Sequence, residues 1–191
     1  MALLSQHLFR RTMRTQLAAA AVAASMLVAP TLRAATLEYQ LKAVFLFNFA
    51  QFVEWPETAF ADAQSPLVIG VLGDDPFDTS LDEAVSGEKV ANHPLVIRRY
   101  LRAEDIADCH ILFISRSEAP RFGEVIARLR DRSVLTVGDT DGFSLRGGMI
   151  RFVTERNKTH LRINVEAAKA VHLTLSSKLL RPAEIVSSGK E

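Results

Sequence analysis

The apolar positions of this chain recur with two different periods, and the alternation between them predicts the elements. Across Leu37–Trp55 the residues Leu41, Val44, Phe45, Phe49, Phe52 and Val53 return at steps of three and four, the spacing of one face of a helix. Leu46 and Phe47 widen that stripe until it covers most of the circumference, so the helix is expected either inside the core or against a partner. Glu54-Trp55-Pro56 ends it, because the residue before a proline is driven out of the α region. Pro66–Leu72 is instead a continuous apolar run closed by Gly73-Asp74-Asp75-Pro76, the pattern of a strand covered on both faces.

Further strands are expected at Leu95–Arg99, Cys109–Ile114 and Val134–Val137. Helices are expected between them, from Asp78 or Thr79 to Val85 and from Ser117 to Arg130, where Pro120 is tolerated in the first turn. Met149–Val153 and Thr159–Val165 then flank a polar turn and read as an antiparallel hairpin. Glu166–Leu180 reads as a closing amphipathic helix, with Ala167, Ala170, Val171, Leu175 and Leu179 on one stripe. Together these predict a three-layer α/β fold: a mainly parallel central sheet, helices on both faces and a C-terminal antiparallel β-hairpin at the edge.

The first 35 residues stand apart. Arg10, Arg11 and Arg14 precede a short apolar run, Leu17–Ala29, and small residues follow at Ala34 and Ala35. This is the layout of a secretion signal, and the run falls short of the roughly 20 apolar residues that span a bilayer. Residues 1–35 are therefore expected to be a signal peptide and residues 36–191 a single domain, exported to the periplasm. The body carries 19 basic against 22 acidic residues, a net charge of −3, which argues against a nucleic-acid footprint. Cys109 is the one cysteine, so no internal disulfide forms, and its apolar neighbours predict a buried thiol.

Catalytic signatures do not assemble. The histidines His93, His110, His160 and His172 are scattered without metal-ligand spacing, and no glycine run builds a phosphate cradle. Ser115 and Ser176-Ser177 lack the strand-turn-helix elbow of a nucleophile. Neither a cofactor, a metal nor a catalytic residue is expected. Ligands of open α/β sheets collect at the carboxyl ends of the strands, which nominates Gly73, Asp75 and Ser115 as a cleft for a small metabolite. Binding of a protein partner is expected instead at exposed apolar surface around Trp55, Phe143, Gly147, Gly148 and Met149, since tryptophan is enriched at interaction hot spots.

Several segments, taken in order, resemble the YfiR family of periplasmic signalling repressors. They are Tyr39–Ala43 leading to Phe52-Val53-Glu54-Trp55-Pro56, then Val71–Phe77, Cys109–Ser115, Gly142-Phe143, Gly147–Ile150 with Phe152, Ile163-Asn164 with Ala167-Ala168, and Ser176–Leu180. The resemblance implies a protein that holds the periplasmic domain of a membrane-bound diguanylate cyclase inactive, restraining cyclic di-GMP synthesis and biofilm formation. It implies release by an outer-membrane lipoprotein with a peptidoglycan-binding domain, and self-association as a homodimer. The alternative reading is a metabolite-binding sensor module that feeds another membrane signalling protein. The family's members often carry a cysteine at the position of Gly70 that pairs with the one at Cys109, and a second pair at the positions of Ser144 and Arg151; this chain keeps Cys109 alone.

Overall fold

The computed structural model describes residues 36–156 and 158–189. The chain divides into two units, Met1–Tyr39 and Gln40–Glu191. Of the first, only residues 36–39 are described, and they are helical; the expected signal, residues 1–35, lies outside the described residues. The second unit begins with helix α1 over 40–52. Then follow β1 (Val53–Glu54), β2 (Leu67–Leu72), α2 (Ser80–Val85), β3 (Lys89–Val90), β4 (His93–Tyr100), β5 (Ile111–Ile114) and α3 (Phe122–Arg128). The chain continues through β6 (Leu135–Gly138), β7 (Ile150–Glu155), β8 (Lys158–Ile163), α4 (Val165–Ala170), β9 (Thr174–Leu175), α5 (Ser177–Leu180) and β10 (Glu184–Ile185).

Eight strands form one sheet in the order β10-β8-β7-β6-β5-β2-β4-β3. β4, β2, β5, β6 and β7 are parallel, β7 and β8 make the antiparallel hairpin, and β10 lies parallel to β8 outside it. Every residue of β2, β5 and β6 is buried, as continuous apolar strands require when helices cover both faces. The register explains which helix meets which side chain. Phe113, Val137 and Ile150 are opposite one another across the strands and share a face with Phe152, two residues on; Leu72 and Ile114 take the other face.

Phe45 and Phe49 of α1 pack on Phe152, each with ring centroids 5.8 Å apart, while Phe77 meets Phe113 edge-on at 4.8 Å. On the opposite face Phe122 and Val125 of α3 join Leu72, Tyr100, Leu112, Ile114 and Val134 in one apolar cluster. Helices thus lie on both sides of a mostly parallel sheet, the three-layer α/β arrangement expected. Cys109 belongs to this second cluster, where its thiol donates to the carbonyl of Ile111 at 3.1 Å. Burial pushes that thiol up to about 12, so the buried, unreactive cysteine read from its neighbours is what the fold contains.

Three local readings are corrected. The first helix stops at residue 52, and Val53-Glu54 pair as β1 with Thr174-Leu175 of β9. Val53 is β-branched and Trp55 precedes Pro56, so extended backbone is the cheaper conformation once a partner strand is present. The closing helix is broken for the same reason: α4 ends at Ala170, His172 turns with φ of 61°, and β9 intervenes. Ser176 then caps α5 by accepting from the Lys178 amide. The hairpin is not the outermost feature of its edge either, because β10 covers β8 from Glu184↔Arg162 to Ile185↔Ile163.

Candidate functional site

Numbered by appearance, the parallel strands run 2-1-3-4-5, which places the crossover reversal between β2 and β5. The structure brings Gly73 and Ser115 to these adjacent strand ends: the Ser115 amide donates to Leu72 and the Gly73 amide to Tyr100, each at 3.0 Å. The space between them is filled by the chain itself. Ser117 Oγ accepts from the Asp74 amide at 2.9 Å and sits where a Cβ on residue 73 would be, so only glycine fits there, at φ of +87°. Asp75 faces away: Oδ1 accepts from the Phe77 amide at 2.8 Å, and Oδ2 receives the Arg99 guanidinium at 2.6 Å. Arg99 also holds Asp82, whose carboxyl it draws below the usual range. The cleft expected at Gly73, Asp75 and Ser115 is thus taken up by the chain's own turn bonds and ion pairs.

Three residues of the second expected site are enclosed. Phe143 is wholly buried and Met149 is 5% exposed. The Phe143 ring packs on Phe122 at 4.8 Å and runs so close to Gly138 and Gly148 that a Cβ on either would collide with it. The glycine pair therefore makes room for an internal ring. The Gly148 amide returns to the Phe143 carbonyl at 3.0 Å, and the Met149 amide donates to Thr136 Oγ1 at 3.1 Å. Of the five residues nominated for exposed surface, Phe143, Gly148 and Met149 are core, and only Trp55 and Gly147 are partly exposed.

Trp55 instead lines a cleft of about 600 Å³ formed by the end of α1, β1, the loop over residues 57–66 and the starts of β2 and β4. Its indole is fixed, since Nε1 donates to the His110 carbonyl at 3.2 Å. His110 clasps the loop. Its Nδ1 accepts from the Val68 amide at 3.1 Å, which leaves the proton on Nε2 to donate to the Ala59 carbonyl at 3.0 Å. Burial holds this imidazole below its ordinary pKa, against the opposing pull of the Ala59 bond. Phe60 is stacked between two imidazoles, 4.4 Å from His110 and 3.9 Å from His93. His93 Nδ1 donates to the Ser65 carbonyl at 2.6 Å, tying down the far end of the same loop.

One buried charged group escaped sequence reasoning. Lys42, on the inner face of α1, is completely buried, and its Nζ lies 2.6 Å from Asp139 Oδ2 just beyond β6. Asp139 Oδ1 receives the Arg116 guanidinium at 3.0 Å, and the ammonium stands 5.8 Å from the Phe152 ring. The available cue was a single cation set between Leu41 and Ala43 in an otherwise apolar stripe. Among the described residues no group of histidine, cysteine and carboxylate side chains is arranged to hold a metal ion, and no helix is long and apolar enough to cross a membrane.

Comparison with the curated proteins gives no match. A family match does exist, to the family described as YfiR/HmsC-like, over residues 39–184. That span takes in α1, the whole parallel sheet, the hairpin and the helices on both faces. Covering most of the sequence and nearly every element of the fold, the match is more than a shared motif: the chain belongs to the YfiR/HmsC-like family, whose members are periplasmic regulators of cyclic di-GMP signalling.

Proposed function

We propose that this chain is a periplasmic repressor that binds the periplasmic part of an inner-membrane diguanylate cyclase and restrains cyclic di-GMP synthesis, and with it biofilm-type behaviour. The observation that carries the reading is the family match over residues 39–184. The chemistry of the fold supports it. The polar groups at the strand ends, where ligands of such sheets collect, are bonded to the chain's own side chains, which leaves outer surfaces as the means of action. Binding alone suffices for repression: the chain biases the cyclase by the difference in its affinity for the two cyclase conformations. No bond is broken, and the chain acts without a catalytic residue or cofactor.

Two further parts belong to the same reading. An outer-membrane lipoprotein with a peptidoglycan-binding domain competes for the repressor and releases the cyclase. The repressor works as a homodimer, for which the exposed Leu41 and Val44 of α1 offer apolar surface. Deleting the gene in its own host and measuring cyclic di-GMP tests the proposal. A rise that is reversed by the exported chain, with co-isolation of a membrane-bound cyclase, is the expected result. Unchanged cyclic di-GMP and no cyclase in the isolated material would reject it.

A further inference from the structure

The Trp55 cleft combines two properties that seldom coincide on a soluble surface. Its walls are apolar, from Ala50 and Val53 at the base to Phe60 and Val90 at the sides, and its volume of about 600 Å³ lies within the roughly 300–1,000 Å³ typical of ligand clefts. Its charged lining residues are Glu54, Glu57 and Asp62, all acidic, with no lysine or arginine among them. In a chain with 23 basic and 22 acidic residues, that is a local segregation of charge. Arg98, Arg99, Arg102, Arg116, Arg121, Arg128 and Arg151 each pair with a carboxylate elsewhere, whereas no cation among the described residues lies within ion-pair distance of these three. Asp62 is held firmly ionised by the Gln64 amide and the Ser65 hydroxyl, both of which stabilise its carboxylate.

The donors in the wall are already committed. Trp55 Nε1 is bonded to the His110 carbonyl and His93 Nδ1 to the Ser65 carbonyl. A small polar metabolite is normally oriented by a few convergent polar groups, and these two side-chain donors are turned to the chain's own carbonyls. What remains is apolar contact ringed by negative charge. Because the loop is tied at both ends by the stacked His110, Phe60 and His93 rings, the cleft is formed before anything enters it, and little ordering cost falls on binding.

We infer that the Trp55 cleft is the docking site for a short partner segment that inserts one large apolar side chain and sets lysine or arginine against Glu54, Glu57 and Asp62. The inference rests on the partner-binding reading above and assigns it a place on the molecule. It also assigns the partner's chemistry: positive charge on both sides of a hydrophobic anchor.

Trp55 is the chain's one tryptophan, so its fluorescence reports on the cleft directly. The probes are three capped tripeptides, Lys-Phe-Lys, Glu-Phe-Glu and Lys-Ala-Lys, titrated into the purified protein. The expected result is a saturable change with the first, at least tenfold weaker for the other two and weaker in high salt. Glu54→Lys with Glu57→Lys, at exposed positions, should weaken the first peptide at least tenfold while leaving the thermal midpoint near that of the parent. Equal response to all three peptides, or none to any, overturns the inference. Capture of a cyclase from membranes separates the two levels. If the parent captures it and Ala63→Arg, which fills the cleft from an exposed position, captures it equally well, the cleft is wrong and the repressor reading stands; if the parent captures nothing, that reading fails, and the peptide titrations still decide the cleft.

Discussion

The Lys42 ammonium lies 2.6 Å from Asp139 Oδ2 with both side chains withdrawn from solvent, joining the first helix of the folded unit to the end of β6. Removing Asp139 takes the 2.6 Å carboxylate from a fully buried ammonium, removing Lys42 leaves Asp139 with Arg116, and replacing both with apolar groups relieves the desolvation penalty of the buried pair. Asp139→Leu should lower stability by about 3–5 kcal/mol and Lys42→Met by less, because Arg116 still faces the carboxylate, and the double variant should recover most of the larger loss. Urea denaturation of the four proteins measures the coupling; additive losses in the double variant would show that the two groups act independently.

Acid should weaken the fold through His110. Its folded pKa lies below the ordinary value near 6.5 because the ring is buried. The unfolded chain therefore takes up a proton before the folded one does. The contribution is complete above about pH 6.5 and is lost as pH falls from there toward the lower folded pKa. Thermal midpoints between pH 5 and pH 8 should show this slope, and His110→Gln should flatten it at the cost of a lower midpoint throughout. An unchanged slope in that variant would assign the acid sensitivity to other groups.

Gly70 and Cys109 are placed to be bridged. A Cβ built on residue 70 comes to 2.9 Å from Cys109 Sγ, with the Tyr100 ring and Leu112 close beside it. Gly70→Cys should oxidise to an internal disulfide, losing two hydrogens by intact mass, and should gain about 3–4 kcal/mol in the oxidised form from the loop it closes. The parent thiol, pushed up to about 12 by burial, should resist alkylation at pH 8 until the chain is unfolded. Rapid labelling of the native parent would contradict the buried placement.

Phe143 and Gly148 make a lock of complementary shapes. Gly148→Ala sets a methyl group against the ring and should cost about 1–3 kcal/mol by overpacking. Adding Phe143→Leu should restore part of the loss, since a smaller side chain leaves room for the methyl. Chemical denaturation of the single and double variants checks this; a neutral Gly148→Ala would show that the ring moves aside freely.

What could be read from sequence, and what could not, divides by the range of the interaction. β2, β5 and β6 were legible because each strand's own composition announces burial on two faces, and the hairpin because alternation and a polar turn lie within one segment. β1 and β9 were not legible, since Val53-Glu54 and Thr174-Leu175 become strands only by finding each other. Periodicity alone extended both flanking helices through them. The burial of Phe143 and Met149 was hidden for a related reason. Phe143 and Met149 are apolar next to glycines, a pattern equally suited to a surface loop and to an internal plug, and only the fold places Phe122 against the ring. The Trp55 cleft draws on residues from Ala50 to His93, and of these only the tryptophan could be singled out in advance.

The ion pair that closes on α1 also bears on the order in which the molecule is completed. Synthesis from the amino terminus delivers Lys42 long before Asp139, which follows 97 positions later. Until then Phe45 and Phe49 have no Phe152 to cover them, and β1 waits longer still for β9. The helix at the start of the folded unit is thus locked in place only once the far end of the chain is present.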